Sequence, residues 1–255
     1  MTIAVLQARF SSTRLPGKVL KPLLGRPMLA RQLERIGRAA SIDRIIVATS
    51  TEASDDPIAD LCGEIGVGCY RGSLDDVLDR MYQAAASAGA ATVMRLTGDC
   101  PLADPAVFDD LNAFFLQGGY DYASNTIEPT FPDGLDVEVM HFECLKAAWR
   151  EAVLPSEREH VTPFIYNHSE RFRLGSFKQK SDLSGLRWTV DEPRDFEFVS
   201  RIYEALYEGN PAFTAADVLR LLQDQPELEL INSGQERNEG YQASLQADQA
   251  FSAKE

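Results

Sequence analysis

Residues 2–18 read TIAVLQARFSSTRLPGK, a short apolar, β-branched run that passes without a break into a loop of hydroxyls and cations. Such a run is far too short to span a bilayer, and its apolar stretch does not alternate, so it reads as a strand buried on both faces. The same style returns over 44–49 (RIIVAT) and 91–96 (ATVMRL). Between these runs lie helical patterns over 27–39, 56–65 and 74–88; in the last, Leu74, Val77, Leu78, Met81 and Ala85 recur near the 3.6-residue period. Strands alternating with helices predict βαβ units and a parallel sheet. In such a sheet ligands bind beyond the carboxyl ends of the strands, which puts the loop over 8–18 where a ligand should lie.

Outward from that core, a further helix over 104–116 is opened by Pro105, as first-turn prolines allow. The rhythm then changes. Runs over 120–124, 135–140 and 172–177 read as strands with longer connections, and 142–151 and 157–167 as helices between them. This half extends the sheet with a mixed or antiparallel section. Residues 194–207 and 215–223 read as terminal helices, and 232–255 is polar enough to be a loosely held tail or a partner-docking arm.

The chain has 255 residues with 39 acidic and 25 basic side chains, a formal net charge of −14. The imbalance is uneven: residues 1–44 hold nine basic side chains against only Glu34 and Asp43, a surplus of seven, so the remainder stands at −21. An acidic chain lacks the broad basic footprint that sequence-independent nucleic-acid binding needs. A local basic patch inside it points instead to a small anionic ligand held in one place. Arg31, Arg35 and Arg38 are expected on the solvated face of the helix after the loop. No apolar run approaches the roughly 18 residues of a membrane span, and Arg9 and Arg14 interrupt any leader-like opening. The expectation is a cytoplasmic protein with no membrane partner. Cys62, Cys69, Cys100 and Cys144 form no CxxC pair, which indicates buried thiols rather than a disulfide framework or a zinc site.

The loop over 8–18 offers the hydroxyls of Ser11, Ser12 and Thr13, the guanidiniums of Arg9 and Arg14, and the Lys18 ammonium, with Pro16-Gly17 to turn the chain. Arginine forks and a lysine point charge are the groups that neutralise a polyphosphate. The loop is not a Walker A motif, because the first glycine of GxxxxGK[ST] is missing and Val19 follows Lys18. Asp99, in LTGDCP, ends the strand over 91–96 and is a candidate Mg²⁺ ligand, with a helix cap or turn residue as the alternative. Asp191, in WTVDEPRD, is read as ending another apolar strand just before a Pro-initiated helix; its alternative is an N-cap box. Two strand-end aspartates beside a basic phosphate loop form the metal clamp that phosphoryl and nucleotidyl transfer require. In PDGLDVEV, alternation puts Asp136 and Glu138 on one strand face beyond the Asp133-Gly134 turn, placed to accept from sugar hydroxyls or to help hold a metal, with a solvated strand face as the alternative. In EREHVTP, Arg158 and His160 are candidates for a second anion. Arg71 follows the third strand and faces the site, while Ser73 caps the next helix.

Six ordered motifs, QARFSSTRLPGKVL, YRGSLDDVLDRMYQAA, RLTGDCPLADP, FPDGLDVEV, EREHVTPFI and RWTVDEPRDFE, resemble the spore coat polysaccharide biosynthesis protein F family. That family belongs to the cytidylyltransferase-like group that includes the CMP-sugar-acid synthetases, and the resemblance covers about residues 2–207. It implies an α/β, Rossmann-like nucleotidyltransferase fold, a GT-A-like three-layer sandwich with a mostly parallel sheet. It implies one domain over 1–231, with a nucleotide-binding half at about 1–118 and an acceptor and dimerisation half at about 119–231. The activity implied is Mg²⁺-dependent transfer from CTP to a sugar or sugar acid, for polysaccharide or surface-glycan synthesis, and a homodimer is compatible with it.

Carried over by position, the resemblance has Arg9 and Lys18 hold the triphosphate, with Ser11, Ser12 and Arg14 in the same loop. Ala8 presents backbone to the base, Arg71 and Asp76 lie near the nucleoside, and Asp99 and Asp191 bind Mg²⁺. Arg9, Lys18 and Asp99 then carry catalysis, and Asp133, Asp136, Glu138, Arg158 and His160 are left for the acceptor. Ser11 departs from the family, whose loop has glycine there; a Cβ at this point bars the closest backbone approach to phosphate or demands strain. Cys100 after Asp99 separates the chain from the sugar-acid synthetases, so their acceptor preference does not transfer. Two other readings remain. A GT-A glycosyltransferase would consume a nucleotide-sugar, but its Asp-x-Asp triplet is absent at Asp99. A non-catalytic nucleotide-sensing scaffold is favoured by Ser11 and disfavoured by the retained Asp99 and Asp191.

Overall fold

The structure, a computed structural model, describes residues 1–234, 237 and 239–252. In chain order the strands are β1 (Thr2–Gln7), the short hairpin β2 (Pro22–Leu23) and β3 (Arg26–Pro27), β4 (Arg44–Ser50), β5 (Gly68–Gly72), β6 (Thr92–Thr97), β7 (Tyr122–Ser124), β8 (Glu138–His141) and β9 (Leu174–Ser176). The helices are α1 (Met28–Ile36), α2 (Asp56–Ile65), α3 (Val77–Ser87), α4 (Pro105–Gly118), α5 (Phe142–Glu151), α6 (Pro155–His160), α7 (Pro163–Tyr166), α8 (Pro193–Leu206), α9 (Ala215–Asp224) and α10 (Glu239–Ser252).

One seven-stranded sheet runs β5-β4-β1-β6-β8-β7-β9. Its first four strands are parallel; β8 then pairs antiparallel with both β6 and β7, and β9 returns parallel to β7. Because β1 lies between β4 and β6, the winding direction reverses there, and the crevice opens beyond the carboxyl ends of β1 and β6. The apolar runs explain the layers. Along β1, Ala4 and Leu6 face one core while Ile3 and Val5 face the other, so both sides of the strand are buried. Helices α1, α4 and α8 cover the first face, and α3, α5 and α7 the second.

The expected elements that depended on apolar periodicity are present within a few residues, and the departures have local causes. The helix expected over 157–167 is broken into α6 and α7 at Val161, whose φ of +74° leaves the helical region, and Pro163, which has no N–H to continue the ladder, opens the second piece at its first position. The strand expected over 135–140 starts only at Glu138; upstream, the Asn125 side chain stands in for a neighbouring strand, donating to Leu135 O (2.8 Å) and accepting from Val137 N (3.0 Å). Trp188 to Val190 do not form a sheet strand either. They run extended across the site, with Val190 N donating to Asp99 O at 2.8 Å.

Arg31 and Arg35 are not solvated. Arg35 is 2% exposed, lies 4.1 Å over the Phe213 ring and donates to Ala103 O and Phe213 O, while Arg31 stacks on Tyr207 and donates to Leu23 O and Leu24 O. Only Arg38 keeps to the surface. Three thiols are buried as expected, but Cys69 is exposed. The polar C-terminal stretch is not a loose tail over its described part: α10 docks on α6, with Ser156 N and Oγ donating to Asp248 at 2.9 and 2.5 Å. Residues 235, 236, 238 and 253–255 of that expectation lie outside the described residues.

Gly134 shows how tightly the 187–191 segment is pressed in. It sits at φ +109°, and a Cβ there would lie 2.5 Å from the backbone of Trp188 and Thr189. Gly134→Ala is therefore expected to destabilise the fold by about 2 kcal/mol or more, through strain and displacement of backbone. Urea denaturation measures this, and an unchanged midpoint would contradict it.

Candidate active site

The centre of the crevice is an ammonium between two carboxylates. Lys18 follows the turn at Gly17, whose φ of +69° lets the chain reverse under the Phe10 ring. Its Nζ lies 3.2 Å from Asp99 Oδ2, 2.9 Å from Asp191 Oδ1 and 2.7 Å from the Val190 carbonyl. Burial works against the charge on Lys18, but the two aspartates outweigh it and its pKa is raised. Burial alone would likewise push the Asp99 carboxyl up; the Lys18 ammonium and the Thr97 hydroxyl hold it down at about 2. Asp191 also receives Arg14 at 2.9 Å and Arg187 at 3.2 Å. It is not the cap of α8: Glu192 holds that position and Asp195 accepts from the backbone N–H of both Asp191 and Glu192 at 2.9 Å. Asp104, not Asp99, caps α4. Both proposed ligand carboxylates are thus left aimed into the crevice.

The phosphate-type loop is held from behind. The buried carboxylate of Asp55 accepts from Phe10 N at 2.7 Å and from Ser50 N and Oγ at 3.0 and 2.5 Å, while Phe10 O accepts from Ser12 N and Gly17 N. Among the described non-glycine residues only Leu24 and Val161 have positive φ, so Ser11 sits without the strain its Cβ raised as a concern.

Two cavities flank Lys18. One, of about 670 Å³, is walled by Ala8, Arg9, Ser12, Thr13, Lys18 and Arg80. The other, of about 540 Å³, is walled by Arg95, Asp133, Asp136, Glu138, Tyr166 and Thr189. Gln7, Arg14, Thr97, Asp99, His160 and Asp191 border both. Asp99 and Asp191 therefore stand on the partition, within reach of one cation from either side. The donor set is all oxygen, and among the described residues no third carboxylate, histidine or cysteine joins it. That fits a hard divalent ion whose remaining ligands come from water and a substrate phosphate.

A cytidylyltransferase family model matches residues 3–224. The chain belongs to the cytidylyltransferase family. It is 32% identical over 232 residues to the spore coat polysaccharide biosynthesis protein SpsF of Bacillus subtilis, covering 88% of this chain and 94% of that one. It is 37% identical over 109 residues, 42% of each chain, to a 3-deoxy-manno-octulosonate cytidylyltransferase of Geobacter sulfurreducens. A cytidylyltransferase structure from Leptospira borgpetersenii matches with a TM-score of 0.86 at 29% identity, over 92% of this chain and 99% of that one. The α/β sheet is the Rossmann-like nucleotidyltransferase fold, and the protein is a nucleotidyltransferase.

Within this cytidylyltransferase, the expected site residues fall into three groups. Ala8, Arg9, Ser12, Arg14, Lys18, Asp99 and Asp191 line the crevice, with Ser11 exposed on the same loop. Asp133, Asp136, Glu138 and His160 line the second cavity, but Glu138 is 5% exposed and its oxygens are engaged by Arg95, by Tyr122 Oη (2.5 Å) and by Thr162 Oγ1 (2.7 Å). It orients Arg95 rather than presenting a free acceptor. Arg71, Asp76 and Arg158 lie outside both cavities. Arg71 is part of β5 and is bound to Ser50 O, Glu52 O and Asp56; Asp76 caps α3 in place of Ser73 and pairs with Arg158.

Four residues escaped the reading from sequence. Arg187 ties Asp133, Asp191 and Asp195 together; Arg80 is a buried and Arg95 a half-buried cation, and the Nε of each has no hydrogen-bond acceptor among the described residues. An arginine within an otherwise apolar strand or helix face was the available signal for these two. Val161 is the fourth. It is fully buried at φ +74°, ψ −54°, with Thr162 N donating to His160 O at 2.9 Å, a strained three-residue turn that aims His160 and Thr162 at the second cavity.

Burial pushes the Asp136 carboxyl up to about 7, with the Arg237 guanidinium pulling against it. A carboxyl raised on folding contributes stability that is complete below about pH 4 and is lost as the pH rises through about 7. Asp136→Asn is therefore expected to gain in melting temperature on the wild type at about pH 8 and to lose that gain towards about pH 4. Calorimetric scans across this range decide it, and a gain that grows in acid would contradict the assignment.

Proposed function

We propose that this cytidylyltransferase transfers CMP from CTP to a hydroxyl of a sugar or sugar acid, with Mg²⁺ as cofactor and pyrophosphate as the second product, in glycan synthesis. The observation that carries this reading is the position of Asp99 and Asp191 beside Lys18 on the partition between two cavities. The larger cavity, with its basic loop, receives the triphosphate, and the smaller receives the acceptor. The names of SpsF and of the 3-deoxy-manno-octulosonate enzyme support a sugar-derived acceptor.

The acceptor hydroxyl oxygen forms a bond to the α-phosphorus and releases its proton to solvent, as the bond to the pyrophosphate oxygen breaks on the opposite side. Arg9 and Lys18 stabilise the charge that gathers on the leaving pyrophosphate. Among the described residues Arg9 makes no ion pair, so its fork is open to phosphate. Asp99 and Asp191 would hold the Mg²⁺, which supplies Lewis acidity at the α-phosphate when bound. Arg14 and Arg187 hold the Asp191 carboxylate in place, at 2.9 and 3.2 Å.

Asp99→Asn removes one ligand charge but leaves an oxygen to accept from Lys18, so the fold is expected to survive. Turnover should fall by at least about a hundredfold, read as pyrophosphate release with each of the four nucleoside triphosphates against a panel of sugars and sugar acids. Equal release by wild type and variant, or a preference for another base, would sink the assignment.

A further inference from the structure

The family match ends at residue 224, yet the chain beyond it reaches the site. Asn232 is 3% exposed and donates to Arg187 O and Asp195 Oδ1, both at 3.0 Å. Arg237 pairs with Asp136 and donates to Phe131 O at 3.2 Å. In α10, Tyr241, Ser244 and Asp248 stand at i, i+3 and i+7, on one helix face. Tyr241 meets the His160 ring edge-on at 5.1 Å, Ser244 Oγ lies 2.9 Å from His160 Nε2 and donates to Glu159 at 2.8 Å, and Asp248 accepts from Ser156. Tyr241 also lines the 540 Å³ cavity and Ser244 the larger one.

We propose that Asn232, Arg237 and α10 form a strap that completes the acceptor site, with Tyr241 as a specificity-determining wall. The proposal rests on the reading of the smaller cavity as the acceptor pocket. Besides the carboxylates, that pocket is lined by Tyr166 and Tyr241 together with Ile127 and Leu174, apolar and aromatic side chains suited to the carbon face of a sugar ring. The polar side, Asp133 and Asp136, is suited to ring hydroxyls. The strap is fastened to α6 through hydroxyl and carboxylate groups, so it can be loosened at Asp248 without opening either core.

Two substitutions in the full chain test this. Tyr241→Ala removes the wall, and Asp248→Ala unfastens the helix, which hydrogen exchange in α10 should report as at least tenfold faster opening with β1 and β6 unaffected. Both are expected to raise the KM for the sugar acceptor at least about tenfold and to broaden the range of sugars accepted, while the calorimetric Kd for CTP changes less than about twofold in Tyr241→Ala, whose ring lines only the smaller cavity. Acceptor KM within twofold of wild type in both variants overturns the strap, as does a parallel loss of CTP affinity in Tyr241→Ala. The same sugar panel is read for binding by saturation-transfer NMR. If wild-type protein binds a sugar but releases no pyrophosphate, the reaction assignment fails while the strap is judged on binding alone; if it binds none, both fall.

Discussion

Everything in the crevice depends on one buried cation having three anchors from distant parts of the chain. Lys18 belongs to the first loop, Asp99 to the end of β6, and Asp191 with the Val190 carbonyl to a segment 172 residues on. An ammonium in this position is tolerable only because both carboxylates face it, and the carboxylates are tolerable only because it faces them. The interaction therefore works as a lock on topology: it closes the gap between the switch point of the sheet and a crossing segment that has no strand ladder of its own. Asp195, Arg187 and Asn232 reinforce that segment from behind, and Gly134 lets the facing turn press against it.

The charge asymmetry of the sequence is resolved at the same place. The basic opening segment divides into two sets of cations. Arg9, Arg14 and Lys18 face the crevice, whereas Arg31 and Arg35 are spent internally on carbonyl oxygens and aromatic rings. Reading all of them as one electrostatic patch overstates the field available to a ligand. On the acidic side, Asp55 never reaches the ligand at all, yet it fixes the backbone of the loop that does.

What was legible in the sequence follows from which forces are local. β1, β4 and β6 were readable because burial on both faces forces an unbroken apolar run, and the loop was readable because the strand end dictates where it must sit. The crossing segment over 188–190 reads as a strand because Trp188 and Val190 are buried in the same core as the sheet residues, and composition does not distinguish burial in that core from membership of a ladder. Arg71 and Asp76 carry the right chemistry for a ligand and are satisfied elsewhere, by Ser50 O and Glu52 O in one case and by Arg158 in the other. Periodicity and charge say that a group needs a partner; only the tertiary structure says which partner arrives first.

The C-terminal helix fails to announce itself for a related reason. A helix that docks by burying an apolar stripe leaves a 3.6-residue signature in hydropathy, but among the described side chains of α10 the contacts with α6 are made by Tyr241, Ser244 and Asp248, two of them polar residues that composition assigns to a surface. The same polar fastening makes it energetically separable from the cores. Hydrogen bonds exchanged with water contribute little net stability each, whereas the strands beneath are held by continuous apolar contact. On the strap proposal, α10 opens before either core does. A wall assembled this way can change its side chains, and hence the shape it offers, while the Lys18 lock and the parallel core stay as they are.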